Sequence, residues 1–94
     1  MAMIFGLKVN GQVQTESINP EDPLFSWECD RECQFTIQMA GDPDFLETVM
    51  YQDTRNHYCI YDGFPLQEGK TYYWRVRSGV KEWSESTFET GRKK

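Results

Sequence analysis

Fifteen carboxylates, three thiols and one imidazole are the groups in this chain that could act on a substrate or hold a metal. Carboxylates in pairs suggest cleavage of a glycosidic bond, which requires two of them about 5–5.5 Å or about 6.5–9.5 Å apart across a cleft. Here Glu21, Asp22, Glu28, Asp30, Glu32, Glu85 and Glu89 fall in turns or on outward strand positions, so solvated surface accounts for them better than catalysis. Cys29, Cys33 and Cys59 with His57 could fill a four-ligand zinc site by count alone. Their setting among aromatic strand patterns is instead that of small, inert core thiols. DPDFLE, from Asp42 to Glu47, has the look of a calcium loop. However, Glu47 stands where the sixth position needs glycine, and Asp53 where the twelfth needs glutamate. His57 has no second group in sequence to position a proton transfer. No metal and no cofactor are expected, no catalytic residue is assigned, and the chain by itself is read as noncatalytic.

The remaining chemistry lies in TYYWRVRSGVKEWSESTFETG, residues 71–91, where aromatic rings alternate with cations. Such a mixture suits a ligand platform or a sheet that locks itself, and the elements that carry it decide between them. Alternation with period two dominates the chain. IFGLKV places Phe5, Leu7 and Val9 on one face and runs into Asn10-Gly11, a tight-turn signal. Residues 14–22 are polar and read as a loop. PLFSWECD turns Phe25, Trp27 and Cys29 to one side, and CQFTIQMA does the same with Phe35, Ile37 and Met39. One apolar and one wet face per strand is the pattern of an antiparallel sheet. Asp42-Pro43 marks a turn or a single helical turn. VMYQD, HYCIYDG, TYYWRVRS and STFET complete seven short strands, which predicts an all-β antiparallel sandwich.

One corner refines this. In LQEGKTY, Leu66 precedes Tyr72 by six residues with Gly69 between, just before the longest strand. This is the pattern of a tyrosine corner, a hallmark of the immunoglobulin-like and fibronectin type III sandwiches, and Trp27 suits their buried tryptophan. Parity then sorts the opening mixture. Tyr72, Trp74 and Val76 must share the inward face, because the alternative buries Arg75 and Arg77 without partners. Tyr73, Arg75, Arg77 and Trp83 remain outside as the candidate interaction surface. Trp83 folding back onto the two arginines would close a cation–π lock. The expected core is Phe25, Trp27, Phe35, Ile37, Leu66, Tyr72, Trp74, Val76 and Phe88.

Ninety-four residues make one domain, with a strand core at about 4–90 and residues 91–94 the start of a linker or an artificial end. A net charge of −5 argues against nucleic acid as a partner, and Arg92-Lys93-Lys94 is too short a basic cluster to reverse it. No apolar run approaches the ~20 residues of a membrane-spanning helix, so no membrane is expected. The start lacks the pattern of a secretory leader, and the cysteine count is odd. Both tilt the expected location toward the cytoplasm, which otherwise stays open.

DPDF followed by TYYWRVRS and WSESTFETG resembles the fibronectin type III modules of bacterial multidomain proteins. Together with LKVNG, PLFSWE and the terminal FETG, the chain resembles the N-terminal β-sandwich of bacterial α-L-rhamnosidases of glycoside hydrolase family 78. That resemblance implies a noncatalytic module that packs against or supports neighbouring domains of the same polypeptide. It also implies that the catalytic carboxylates belong to a separate helical barrel, so none is carried over. Two alternatives stay open. A carbohydrate-binding module would use Tyr73, Trp83, Tyr51 and Tyr58 as ring platforms, and a free-standing protein-interaction module would use the sheet edges. A flat exposed row of rings argues for sugar; a ring covered by arginine argues for scaffold.

Overall fold

Seven strands form in chain order: β1 (Ile4–Val9), β2 (Leu24–Cys29), β3 (Phe35–Ala40), β4 (Thr48–Thr54), β5 (Tyr58–Ile60), β6 (Thr71–Ser78) and β7 (Ser84–Glu89). The computed structural model describes residues 3–11, 23–30, 33–63, 65–79 and 82–91. The 14–22 loop, the acidic residues Glu21, Asp22 and Glu32, and the basic Arg92-Lys93-Lys94 lie outside the described residues. Among the described residues there is no helix, hence none long and apolar enough to cross a membrane.

Every strand pairing is antiparallel. One sheet runs β1-β2-β5 and the other β4-β3-β6-β7. The fold is thus the seven-stranded immunoglobulin-like, fibronectin type III sandwich that the alternation and the corner predict. The fourth strand pairs with the third instead of crossing to the other sheet as in constant-type immunoglobulin domains. This gives the four-stranded sheet a broad outer face.

The core lies between the sheets, and all nine residues expected there are buried, with Val9, Met39, Cys59 and Tyr61 beside them. Its centre is a chain of rings. Phe25 lies 4.9 Å from Trp74 and 5.5 Å from Phe88, tilted and edge-on, and Tyr72 stacks on Phe88 at 5.6 Å. Contacts of this kind contribute about 0.5–1.5 kcal/mol each beyond area burial, so they matter in a domain with a modest core. The corner closes as expected, with the Gln67 amide donating to the Tyr72 hydroxyl at 2.9 Å.

The first strand departs from simple alternation. Phe5 does not share a face with Leu7 and Val9: it is 48% exposed, while Ile4 and Leu7 pack against the core and Val9 is buried. The cause is a β-bulge. Phe5 pairs with Glu28 and Lys8 with Ser26, so Gly6 and Leu7 together oppose Trp27 alone. Gly6 takes φ +62, and a Cβ there would sit 2.8 Å from the Glu28 carboxylate. The extra residue reverses parity halfway along the strand. The strand then ends as its turn signal predicts, with Asn10 and Gly11 at φ 53 and 74.

Candidate functional site

β6 pairs with β3 on one side and β7 on the other, which sets Gln38, Arg75 and Glu85 abreast across the sheet. The Arg75 Nε–H donates to Gln38 Oε1 at 2.9 Å. That bond aims the guanidinium along the sheet surface, where its carbon lies 4.3 Å from the Trp83 ring centroid and 4.0 Å from that of Phe45. Arg77, two residues on, also lies 4.3 Å from the Trp83 ring. Alternate residues of a strand repeat at about 6.8 Å, close to the spacing that admits a flat ring between two cations. The outer face therefore carries a ladder of Phe45, Arg75, Trp83 and Arg77.

The rung at Phe45 depends on the DPDFLE turn. Asp42 Oδ1 accepts from the Glu47 amide at 2.8 Å, and Oδ2 from those of Leu46 and Asp44 at 3.0 and 3.2 Å. These bonds, that from Leu46 first, hold the Asp42 carboxyl below its ordinary pKa. With both oxygens accepting from backbone amides, Asp42 closes a turn and starts no helix. Phe45 takes a positive φ of 55, which throws its ring back over β6.

Of the four residues singled out in the sequence, Arg75, Arg77 and Trp83 are thus brought together. Tyr73 is not part of the ladder. It lies half-buried, lining with Phe45, Pro43, Glu85, Ser86 and Thr87 an open depression of about 400 Å³ over the edge of the four-stranded sheet. Tyr51 and Tyr58 are 60% and 51% exposed, but they belong to different sheets and cannot share a row.

The remaining chemical groups are dispersed. Glu28, Asp30, Glu85 and Glu89 are exposed. Among the described residues no three of the His, Cys, Asp and Glu side chains gather closely enough to hold a metal. His57 packs edge-on against Phe35 at 5.1 Å between ring centroids. Cys59 is buried, and that burial, with Asp62 nearby, pushes its thiol pKa up. Cys29 and Cys33 differ from the expected inert core thiols. Both are only half-buried, and their sulfurs lie 4.0 Å apart.

Sequence reasoning missed three contributors. Phe45 gave no signal, since its place on Arg75 depends on a turn conformation. Gln38 could have been found from strand register, being directly opposite Arg75. Thr90, in the terminal FETG, is 1% exposed. Its hydroxyl donates to the Gln67 carbonyl at 2.6 Å and accepts from the Lys70 amide at 3.0 Å, which ties the last strand to the tyrosine corner.

Two solved structures share this architecture. One is the Streptomyces avermitilis α-L-rhamnosidase complexed with L-rhamnose, with a TM-score of 0.78 and 21% identity over 97% of this chain. The other is the α-L-rhamnosidase from Dictyoglumus thermophilum, with a TM-score of 0.72 and 20% identity over 94% of this chain. At these identities the likeness speaks for the fold, and the chain spans only 11% and 12% of those longer proteins. No curated protein matches it. The family model described as "Rha78A-like, N-terminal immunoglobulin domain" matches residues 4–94. With nearly its whole length covered, the chain belongs to the family of Rha78A-like N-terminal immunoglobulin domains.

Proposed function

We propose that this sandwich is a noncatalytic module of an α-L-rhamnosidase-like glycoside hydrolase, packing against neighbouring domains of the same polypeptide and supporting them. The observation that carries this reading is the family match, joined to a fold that recurs as a small share of two α-L-rhamnosidases. The outer sheet face favours it too. Trp83, the largest ring available to a sugar, has two guanidinium groups against it. The carboxylates singled out among the described residues are dispersed over the surface, unlike the cleft-spanning pair of a glycosidase.

The test is deletion of residues 4–90 from the polypeptide that carries them. The expected outcome is a lower melting temperature and yield, with hydrolysis of an aryl α-L-rhamnoside retained per folded molecule. Undiminished stability after the deletion would overturn the supporting role. A second reading, a carbohydrate-binding module, draws on the depression beside Tyr73 and on exposed Tyr51. Calorimetric titration of the isolated chain with L-rhamnose and rhamnosyl oligosaccharides separates the two. Saturable heat that disappears in Tyr73→Ala would favour binding, and flat titrations favour the scaffold.

A further inference from the structure

Cys29 ends β2 in one sheet, and Cys33 stands two residues before β3 in the other. Their sulfurs are 4.0 Å apart at the corner where the chain crosses between sheets. A disulfide needs about 2.04 Å between sulfurs, and rotation of the two side chains about their Cα–Cβ bonds covers a difference of that size. The pair is also held in place. The Ser78 hydroxyl, at the end of β6, donates to the Cys33 sulfur at 3.2 Å, and the Cys29 thiol faces Asp30 Oδ1 at 3.8 Å. Asp30 in turn accepts from the Met3 amide at 3.0 Å. Both cysteines pack against the core from its rim and are only half-buried, so the core positions them without enclosing them.

We infer that Cys29 and Cys33 form a reversible dithiol–disulfide couple that locks the β2–β3 corner, and with it the junction of the two sheets, under oxidising conditions. The oxidant is a small-molecule disulfide. The thiolate of one cysteine attacks it, forming a mixed disulfide and releasing one small thiol. The thiolate of the second cysteine then attacks the protein sulfur of that mixed disulfide and expels the other small thiol. Two protein S–H bonds and one small-molecule S–S bond are lost; one protein S–S bond and two small-molecule S–H bonds are gained. Protons given up by the cysteines end on the released thiols. Cys59 stays outside this exchange, being buried and facing Gln52 Oε1 at 3.7 Å. This couple stands independently of the supporting role proposed above.

The experiment is equilibration of the intact chain with oxidised glutathione, followed by thiol titration, intact mass and thermal melting. The thiol count is expected to fall from three to one. The mass should drop by about 2 Da, and the melting temperature should rise by about 5–10 °C, all reversed by dithiothreitol. Trypsin cuts after Arg31, between the two cysteines, so oxidation should leave the flanking peptides joined through sulfur. Cys59→Ser should keep the whole response, whereas Cys29→Ser and Cys33→Ser should each abolish it. Three thiols still titrating, a persistent glutathione adduct, disulfide-linked dimers or a lowered melting temperature would each overturn the inference. The peptide map of the unsubstituted chain separates these outcomes even where a variant folds poorly.

Discussion

The two faces of β6, one apolar and one carrying two arginines, are held by different physics. Inward, Tyr72, Trp74 and Val76 are buried, with Trp74 against the Phe25 ring of β2 and Tyr72 against the Phe88 ring of β7. Outward, Tyr73, Arg75 and Arg77 stay half-buried, and the two arginines are ordered by one hydrogen bond and a ladder of cation–ring contacts. Burial of apolar area is non-directional and large, whereas each exposed cation–ring contact contributes only about 0.5–1 kcal/mol. The inner face therefore decides whether the domain folds. The outer face decides how the β7 lead-in and the DPDFLE turn lie on it.

That contrast is broken most directly at Trp74. Trp74→Ala is expected to cost about 3–5 kcal/mol, which would leave so small a domain largely unfolded at ambient temperature. Denaturant titration followed by far-ultraviolet circular dichroism measures it, and an unchanged midpoint would falsify the inward placement. Next in size is the corner. Tyr72→Phe keeps the ring on Phe88 but removes the acceptor of the Gln67 amide, at an expected cost of about 1–3 kcal/mol. A loss no larger than that of an exposed tyrosine would mean that the corner's hydrogen bond contributes nothing to closure.

Most of the inner face was legible in the sequence, because desolvating an arginine is so unfavourable that parity admits one arrangement of β6. The corner was legible for a similar reason: Leu66, Gly69 and Tyr72 define a local geometry with little freedom. Phe5 was misplaced because alternation assumes an unbroken pleat, and Gly6 breaks it by taking φ +62 in a bulge opposite Trp27, against the Glu28 side chain. Glycine in a strand signals such a bulge, so this one could have been suspected. The pairing of Arg75 and Arg77 with Trp83 followed from facing alone. Phe45 did not, since its ring reaches β6 only through a positive φ that no composition rule demands of phenylalanine. The nearness of Cys29 to Cys33 was hidden likewise, because four residues across a sheet-to-sheet corner can separate or join two side chains equally well.

The outer ladder sharpens the comparison from its weaker side. Trp83→Ala removes contacts to two guanidinium groups and should cost about 1–2 kcal/mol, well below Trp74→Ala despite the identical substitution. A double-mutant cycle with Arg75→Ala isolates the shared part, expected near 0.5–1 kcal/mol, and zero coupling would dissolve the ladder into mere proximity. Phe45→Ala removes one contact and should cost about 0.5–1 kcal/mol by thermal melting, with β6 and its neighbours otherwise intact.

The smallest effect belongs to Asp42, where water competes for the same amides, and it appears as a pH dependence. The folded carboxyl titrates below its ordinary value of 3.8 because the Leu46, Glu47 and Asp44 amides bond its ionised form. A depressed folded pKa stabilises the fold above the unfolded value, and that contribution fades as pH falls through the folded one. Asp42→Asn offers a carbonyl on one side only, so it loses bonds that the two carboxylate oxygens accept together. The variant should melt below the parent at pH 7, and the gap should close as pH drops under about 3.8, where the parent also loses its charge. Titrations elsewhere are common to both chains and cancel in the difference. A gap that stays constant down to pH 2 would assign the turn to backbone geometry alone. Phe45 would then reach Arg75 without help from the carboxylate, and the outer ladder would depend on the turn's shape and not on its charge.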